Sequence, residues 1–228
     1  ASDVYKRQVK DSVNSFFNKF PASDVISVSQ DDNTQYCQCE KCSKIDIEEG
    51  SPAGTMIHFV NEVAKSFPDR TISTLAYQYT RKPPKVKPIE NVLITLCSIE
   101  CDRSVPIERG CKDFSSDLKG WSQLTDNIRI WDYTTQFTNF LAPFPNWGTL
   151  KPNINLFVDN NAKWIFEQHS NNNSELFELR SYIMAKLLWD PNLDFQSLLN
   201  QFNNRYYGSG GEYISELSLI HISEPTRR

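Results

Sequence analysis

Asp31 and Asp32 follow directly on the run Val25-Ile26-Ser27-Val28-Ser29-Gln30, which reads as a strand. Two adjacent carboxylates leaving a strand cannot both stay ionised cheaply if they point into a cleft, so one pKa is expected to rise while the other stays low. That split would separate a general acid from an anionic stabiliser. Asp-Asp-Asn is also good turn chemistry, and spacing alone leaves both readings open. Four further apolar runs lead to Tyr77 and Tyr79, to Glu100, to Trp131-Asp132-Tyr133 and to Glu167. Acids at four of five strand ends, beside aromatic rings, suit a cleft for sugars: carboxylates move protons, and aromatic faces stack on the apolar C–H faces of sugar rings. A conventional pair with Asp132 or Glu100 as nucleophile would need carboxyls about 5 Å apart for retention or roughly 6.5–9.5 Å for inversion.

Six cysteines fall in two groups, Cys37, Cys39 and Cys42, then Cys97, Cys101 and Cys111. Cys-x-Cys-x-x-Cys packs three thiols into one turn and suits structural zinc if Cys97, Cys101, Cys111 or His58 supplies a fourth ligand. Disulfides between the two groups fit the same pattern and would tie the loop after the first strand to the loop after the third. A metal held by three or four thiolates would be structural, with no open position for substrate.

The elements that must position these residues alternate. Val9 to Phe20 aligns Val13, Phe16, Phe17 and Phe20 on one helical face. After Asp31-Asp32 a polar, cysteine-bearing loop is expected to run to Gly50, long enough to be a functional insertion. A helix then starts at Ser51-Pro52 with Met56, Phe59, Val60, Val63, Ala64 and Phe67 in a stripe, and His58 just off it. Further helices are predicted over Phe114–Leu124, Thr149–Asn160, Ser174–Trp189 and Asp194–Tyr206. The aromatic stretch Phe137, Phe140, Leu141, Phe144, Pro145, Trp147 reads either as buried packing or as a sugar platform. Strands alternating with helices predict parallel pairing and chemistry at the strand ends. A complete eight-stranded barrel usually takes about 250 residues. The expectation is therefore an α/β chain forming a partial TIM-type (β/α) barrel, the last five strands of eight, truncated on its N-terminal side.

Both ends look foreign to that domain. Residues 1–8 and 217–228 match translated sequencing adaptor, so the expected native segment is Val9 to Glu216, cut at both ends. The chain carries a formal charge of -4, each end segment contributes +1, and the native segment is thus at -6. An acidic chain without a basic stripe argues against nucleic acid as partner. Arg81, Lys82, Lys85 and Lys87, interleaved with prolines, read as a solvated loop. No apolar run approaches the roughly 20 residues of a membrane span.

Several segments together resemble one family. Gln30-Asp31-Asp32, Tyr36-Cys37-Gln38-Cys39-Glu40-Lys41-Cys42, Glu49-Gly50-Ser51, Leu75-Ala76-Tyr77, Trp131-Asp132-Tyr133, Pro143-Phe144-Pro145-Asn146 and Tyr182 through Pro191 are similar in sequence and spacing to the bacterial domain of unknown function 4838. The resemblance implies a glycoside-hydrolase-like barrel in secreted proteins of polysaccharide-degrading bacteria. With the cysteines, it implies an extracellular or periplasmic setting and a polysaccharide or oligosaccharide partner. If the first strand here is the fourth of a barrel, Asp31-Asp32 also resembles the acid pair of hexosaminidases in glycoside hydrolase families 20 and 84. By that likeness Asp31 would orient a 2-acetamido group and Asp32 would protonate the leaving oxygen. Trp131, Tyr133 or Tyr77 would wall the sugar and Glu167 would hold its distal hydroxyls, while Tyr79, Trp147, Glu100 and Asp132 are further candidate substrate contacts. A catalytically silent barrel that binds glycan through the same groups is the second reading.

Overall fold

The computed structural model describes residues 3–144, 146–169 and 174–223, with side chains through residue 217. The order of elements is α1 (Asp3–Lys19), β1 (Val25–Ser27), α2 (Glu40–Glu49), α3 (Ala53–Ala64), β2 (Thr71–Ala76), β3 (Val92–Cys97), α4 (Ile107–Gly110), α5 (Lys112–Leu124), β4 (Ile128–Tyr133), α6 (Trp147–Asp159), β5 (Ala162–Gln168), α7 (Phe177–Trp189), α8 (Phe195–Tyr206) and α9 (Gly211–Ser223). One sheet carries the strands in sequence order, β1-β2-β3-β4-β5. Pairing of β1 with β2 and of β2 with β3 is parallel, with Ser27 opposite Ser73 and Thr74 opposite Ile94. This is the alternation and strand order of a partial TIM-type (β/α) barrel, as the sequence predicts. Among the described residues no helix is long and apolar enough to cross a membrane.

The chain divides into two compact units, the first comprising residues up to 97 with 116–130 and 160–164, the second 98–115, 131–159 and 165 onward. In the first, Ile57, Val60, Val63 and Ala64 of α3 are at most 2% exposed. Every residue of β3 is buried, the pattern of a parallel strand covered on both faces. Asparagine amides fix how the chain enters its strands. Asn91 Nδ2, just before β3, donates to the carbonyls of Ala64, Phe67 and Arg70. Asn127 Nδ2, just before β4, donates to the carbonyl of Val92. The core of the second unit joins Trp147, Leu150 and Ile154 of α6 to Leu179, Ile183, Met184 and Leu187 of α7 and Leu198 and Leu199 of α8.

Three boundaries differ from expectation. Residues 33–50 are not all loop: α2 forms within them and stops at Gly50, whose φ of 76° caps the helix in the left-handed region that glycine tolerates. Asp132 and Glu167 lie inside β4 and β5 rather than after them, because pairing continues through Ser98 N–H to Trp131 O and Thr134 N–H to Gln168 O. Helix α1 begins at Asp3, and α9 runs through Glu216 to Ser223, so both reach into the end segments set apart in the sequence. Residues 1–2 and 224–228 of those segments lie outside the described residues.

Asn91→Ala should remove the donor to three carbonyls at the α3–β3 junction and lower stability by about 1–3 kcal/mol, the cost of leaving buried acceptors unpaired. Urea unfolding of the variant against the parent chain measures it.

Candidate functional site

In the first unit the loop after β1 is held by the loop after β2. Gln30 Nε2 donates to Tyr77 O at 3.1 Å and to Thr80 Oγ1 at 2.8 Å. Thr80 sits in a 3₁₀ turn, Gln78–Thr80, and accepts from the Tyr77 N–H at 3.1 Å. Gln78 adopts φ 50°, an uncommon conformation for a residue with a side chain, and these bonds hold it there. Asp31 and Asp32 are both exposed. The Asp32 carboxylate is hydrogen-bonded to the Tyr77 side chain, and Asp31 lies close enough to Tyr79 to act on it electrostatically. Burial raises the pKa of both phenols, with the Asp31 charge adding to the shift at Tyr79.

Asp31 lines a cavity of about 580 Å³ together with Gln30, Tyr36, Cys37, Cys42 and Tyr79. That volume lies within the range of small-ligand pockets. The Tyr36 and Tyr79 rings stack in it at 4.8 Å between centroids and 22° between planes. Gln30 Oε1 is buried without a partner, an acceptor at the same wall.

The sulfurs of Cys37, Cys39 and Cys42 lie within 4.8 Å of one another, a group that could hold a metal ion. The expected bridges between the two cysteine groups are not formed: the disulfide joins Cys101 to Cys111, both in the second group. Their Cα atoms are 5.4 Å apart, whereas Cys97 is buried at the end of β3 outside any disulfide. His58 is exposed, hydrogen-bonded to Glu49 Oε1 at 2.9 Å, and lies outside the thiol group. Glu49 Oε2 meanwhile accepts the N–H groups of Lys85 and Val86, and these contacts hold the Glu49 carboxyl below its usual pKa despite partial burial.

In the second unit two acids meet. Asp132 is 5% exposed, accepts from Ser98 Oγ, and is in hydrogen-bond contact with Glu167. Burial, then the neighbouring Asp132 charge, pushes the Glu167 carboxyl well above its ordinary pKa. Burial also raises Asp132, against which Ser98, the Tyr133 N–H and the Arg103 charge all pull. Glu167 is therefore the partner that holds its proton to higher pH. Its Oε2 is buried without a hydrogen-bond partner. The environment that splits two carboxyls, expected at Asp31-Asp32, is thus found here.

Strand alternation separates Asp132 from its neighbours. Ile128, Ile130 and Asp132 are buried on one face of β4, and Arg129, Trp131 and Tyr133 are half-buried on the other. Trp131 stacks with Tyr133 at 6.3 Å, meets Phe166 edge-on at 5.3 Å, and donates Nε1–H to Gln168 Oε1 at 2.8 Å. Arg103 donates to Tyr133 O at 3.0 Å and lies 5.5 Å from the Tyr133 ring. Glu100 is exposed in the loop after β3. Trp147 is 1% exposed and covered by the Arg180 guanidinium at 4.2 Å, so the predicted sugar wall at that position is core packing. Phe137 is exposed and meets Tyr133 edge-on at 6.0 Å. Pro145, part of the quoted resemblance, lies outside the described residues.

Sequence reading missed Ser98, Arg103, His169 and Arg180. His169 follows Glu167 by two residues, the spacing that returns to the same face of a strand, and this was the available signal. Both its ring nitrogens are buried without a partner, and its ring stacks on Phe177 at 5.0 Å. Burial, then the nearby Arg180 charge, lowers its pKa to about 4. Arg180 is 2% exposed and donates to Asn146 Oδ1, to Phe144 O and to Glu175 Oε2.

Two pH effects follow with opposite signs. Glu167 takes up its proton at higher pH when folded than when unfolded, so its contribution is present at low pH and lost as pH rises. Glu167→Gln should therefore gain stability relative to the parent between pH 5 and 8, read from urea midpoints at a series of pH values. His169 is held neutral in the fold, so the unfolded chain binds the extra proton and stability falls as pH drops from about 6.5 to about 4. His169→Gln should flatten that acid-side loss of melting temperature.

Among curated proteins no match to this chain is found. A family model described as Domain of unknown function (DUF4838) matches residues 2–218. Covering nearly the whole sequence, that match places the chain in this family, to which it belongs.

Proposed function

We propose that the chain is the glycan-cleaving part of a secreted bacterial glycoside hydrolase acting on a polysaccharide or oligosaccharide that contains N-acetylhexosamine. The observation that carries this reading is Asp31 in the wall of a cavity of about 580 Å³ beside the stacked rings of Tyr36 and Tyr79. Asp32 stands next in the chain, hydrogen-bonded to Tyr77. In the proposed reaction the sugar ring rests on the tyrosines. Asp31 orients and polarises the 2-acetamido group, whose oxygen attacks the anomeric carbon. Asp32 gives its proton to the departing glycosidic oxygen, and water later takes the place of the acetamido oxygen. Trp131 and Tyr133 offer a second aromatic surface in their own unit.

The Cys101–Cys111 bridge supports an extracellular or periplasmic location, where disulfides persist. Zinc at Cys37, Cys39 and Cys42 is proposed as a structural ion that takes no part in bond cleavage.

A non-catalytic glycan-binding barrel is the competing reading, favoured by the exposure of both Asp31 and Asp32. Asp32→Asn separates the two. On a 4-nitrophenyl N-acetylhexosaminide the variant should lose about 10²–10⁴-fold in rate, the worth of a general acid, while glycan affinity survives. An unchanged rate removes Asp32 from the mechanism. Binding without turnover in the parent chain assigns the barrel to recognition alone.

A further inference from the structure

Cys37 and Cys42 line the same cavity as Asp31, Tyr36 and Tyr79, which places the thiol group at the candidate site rather than apart from it. The segment between β1 and α2 contains no helix or strand and is tied down by few bonds. Gln30 holds its start, Asn33 Oδ1 accepts the Gln35 N–H at 2.8 Å, and Ser43 Oγ donates to Gln38 O at 3.1 Å. A stretch this irregular, carrying two acids and a stacked tyrosine, needs another constraint to present one geometry.

The thiols can supply it. Tetrahedral zinc with Zn–S bonds of about 2.3 Å sets its sulfurs roughly 3.8 Å apart, and here they already lie within 4.8 Å. Cys39 is the residue before the first turn of α2, and no capping hydrogen bond commits its side chain there. An all-thiol set selects zinc over magnesium or calcium. The other expected ligands are committed elsewhere: Cys101 is bonded to Cys111, His58 to Glu49, and Cys97 is not part of the group.

We propose that Cys37, Cys39 and Cys42 release their protons to solvent and bind one Zn²⁺ in the cavity wall, and that this ion clamps residues 31–42 so that Asp31 and Tyr36 face the cavity. With three protein ligands its fourth position falls to water or to a cavity ligand, so the site is open where the sequence reading expects a closed one. The site's role toward glycan rests on the reading above; the metal and the clamp do not.

The test uses the full chain, purified reduced and without chelator. It should carry about one zinc per chain, and cobalt in its place should show the intense visible bands and near-ultraviolet charge transfer of a tetrahedral thiolate site. Cys39→Ser should lose both signals and Cys97→Ser should keep them. Stripping and reloading the parent chain gives the same comparison should Cys39→Ser fail to fold. By hydrogen exchange, amides of residues 31–42 should slow roughly tenfold on zinc addition while those of β3 stay unchanged. Zinc below about a tenth of an equivalent, or an intact mass showing a disulfide within the group, overturns the site. Zinc bound without slower exchange in residues 31–42 overturns the clamp. None of these readouts depends on glycan turnover, so a failed hydrolysis assay leaves them standing.

Discussion

Two carboxyl groups cannot be shut away from water side by side unless they carry one negative charge between them, and the ends of β4 and β5 are organised around that constraint. Ser98 donates to Asp132, Arg103 lies near enough to favour its charge, and Glu167 holds its proton to higher pH than an exposed carboxyl. Because the pair occupies one face of its strands, alternation sends Trp131 and Tyr133 to the other, where they stack and remain half-exposed. Two residues beyond Glu167, His169 stays neutral beside Arg180, itself bound to Asn146, Phe144 and Glu175. The buried titratable groups at these strand ends thus have protonation equilibria coupled to the fold.

The first unit uses a different device. Its acids remain in water, and order comes from backbone geometry and long-range hydrogen bonds rather than from desolvation. Gln30 reaches across to the 3₁₀ turn after β2, and that turn holds Gln78 in a left-handed conformation. Tyr77 and Tyr79 flank that residue, so the same turn that anchors Gln30 also aims two phenols at Asp32 and Asp31. These bonds fix where the loop starts, beside two phenols, while both carboxylates stay exposed.

Much of the architecture was legible in the chain. The runs beginning at Val25, Thr71, Asn91, Asn127 and Ala162 each contain a strand, since β-branched and aromatic residues between helix stripes leave few alternatives. Strand ends were less legible: Asp132 and Glu167 look like terminators because carboxylates rarely enter a sheet, and only their mutual contact makes the interior tolerable. Trp147 illustrates the same limit, for an aromatic in a loop-like stretch reads as a platform until Arg180 and the α7 core are seen to cover it. Helix α2 was hidden by a short, polar, weakly patterned segment whose only clear signal was Gly50.

By itself the amino-acid order determined the alternation of strands and helices, the family, the acidic character, and the close spacing of Cys37, Cys39 and Cys42, since each follows from local periodicity or short-range chain geometry. Tertiary structure alone decided that Asp132 and Glu167 are buried against each other, that Cys101 pairs with Cys111, and that Asp31 shares a cavity with Tyr36, Tyr79 and two of the three thiols. Those outcomes depend on desolvation and on contacts between residues distant in the chain, and no local pattern encodes the free energy of either.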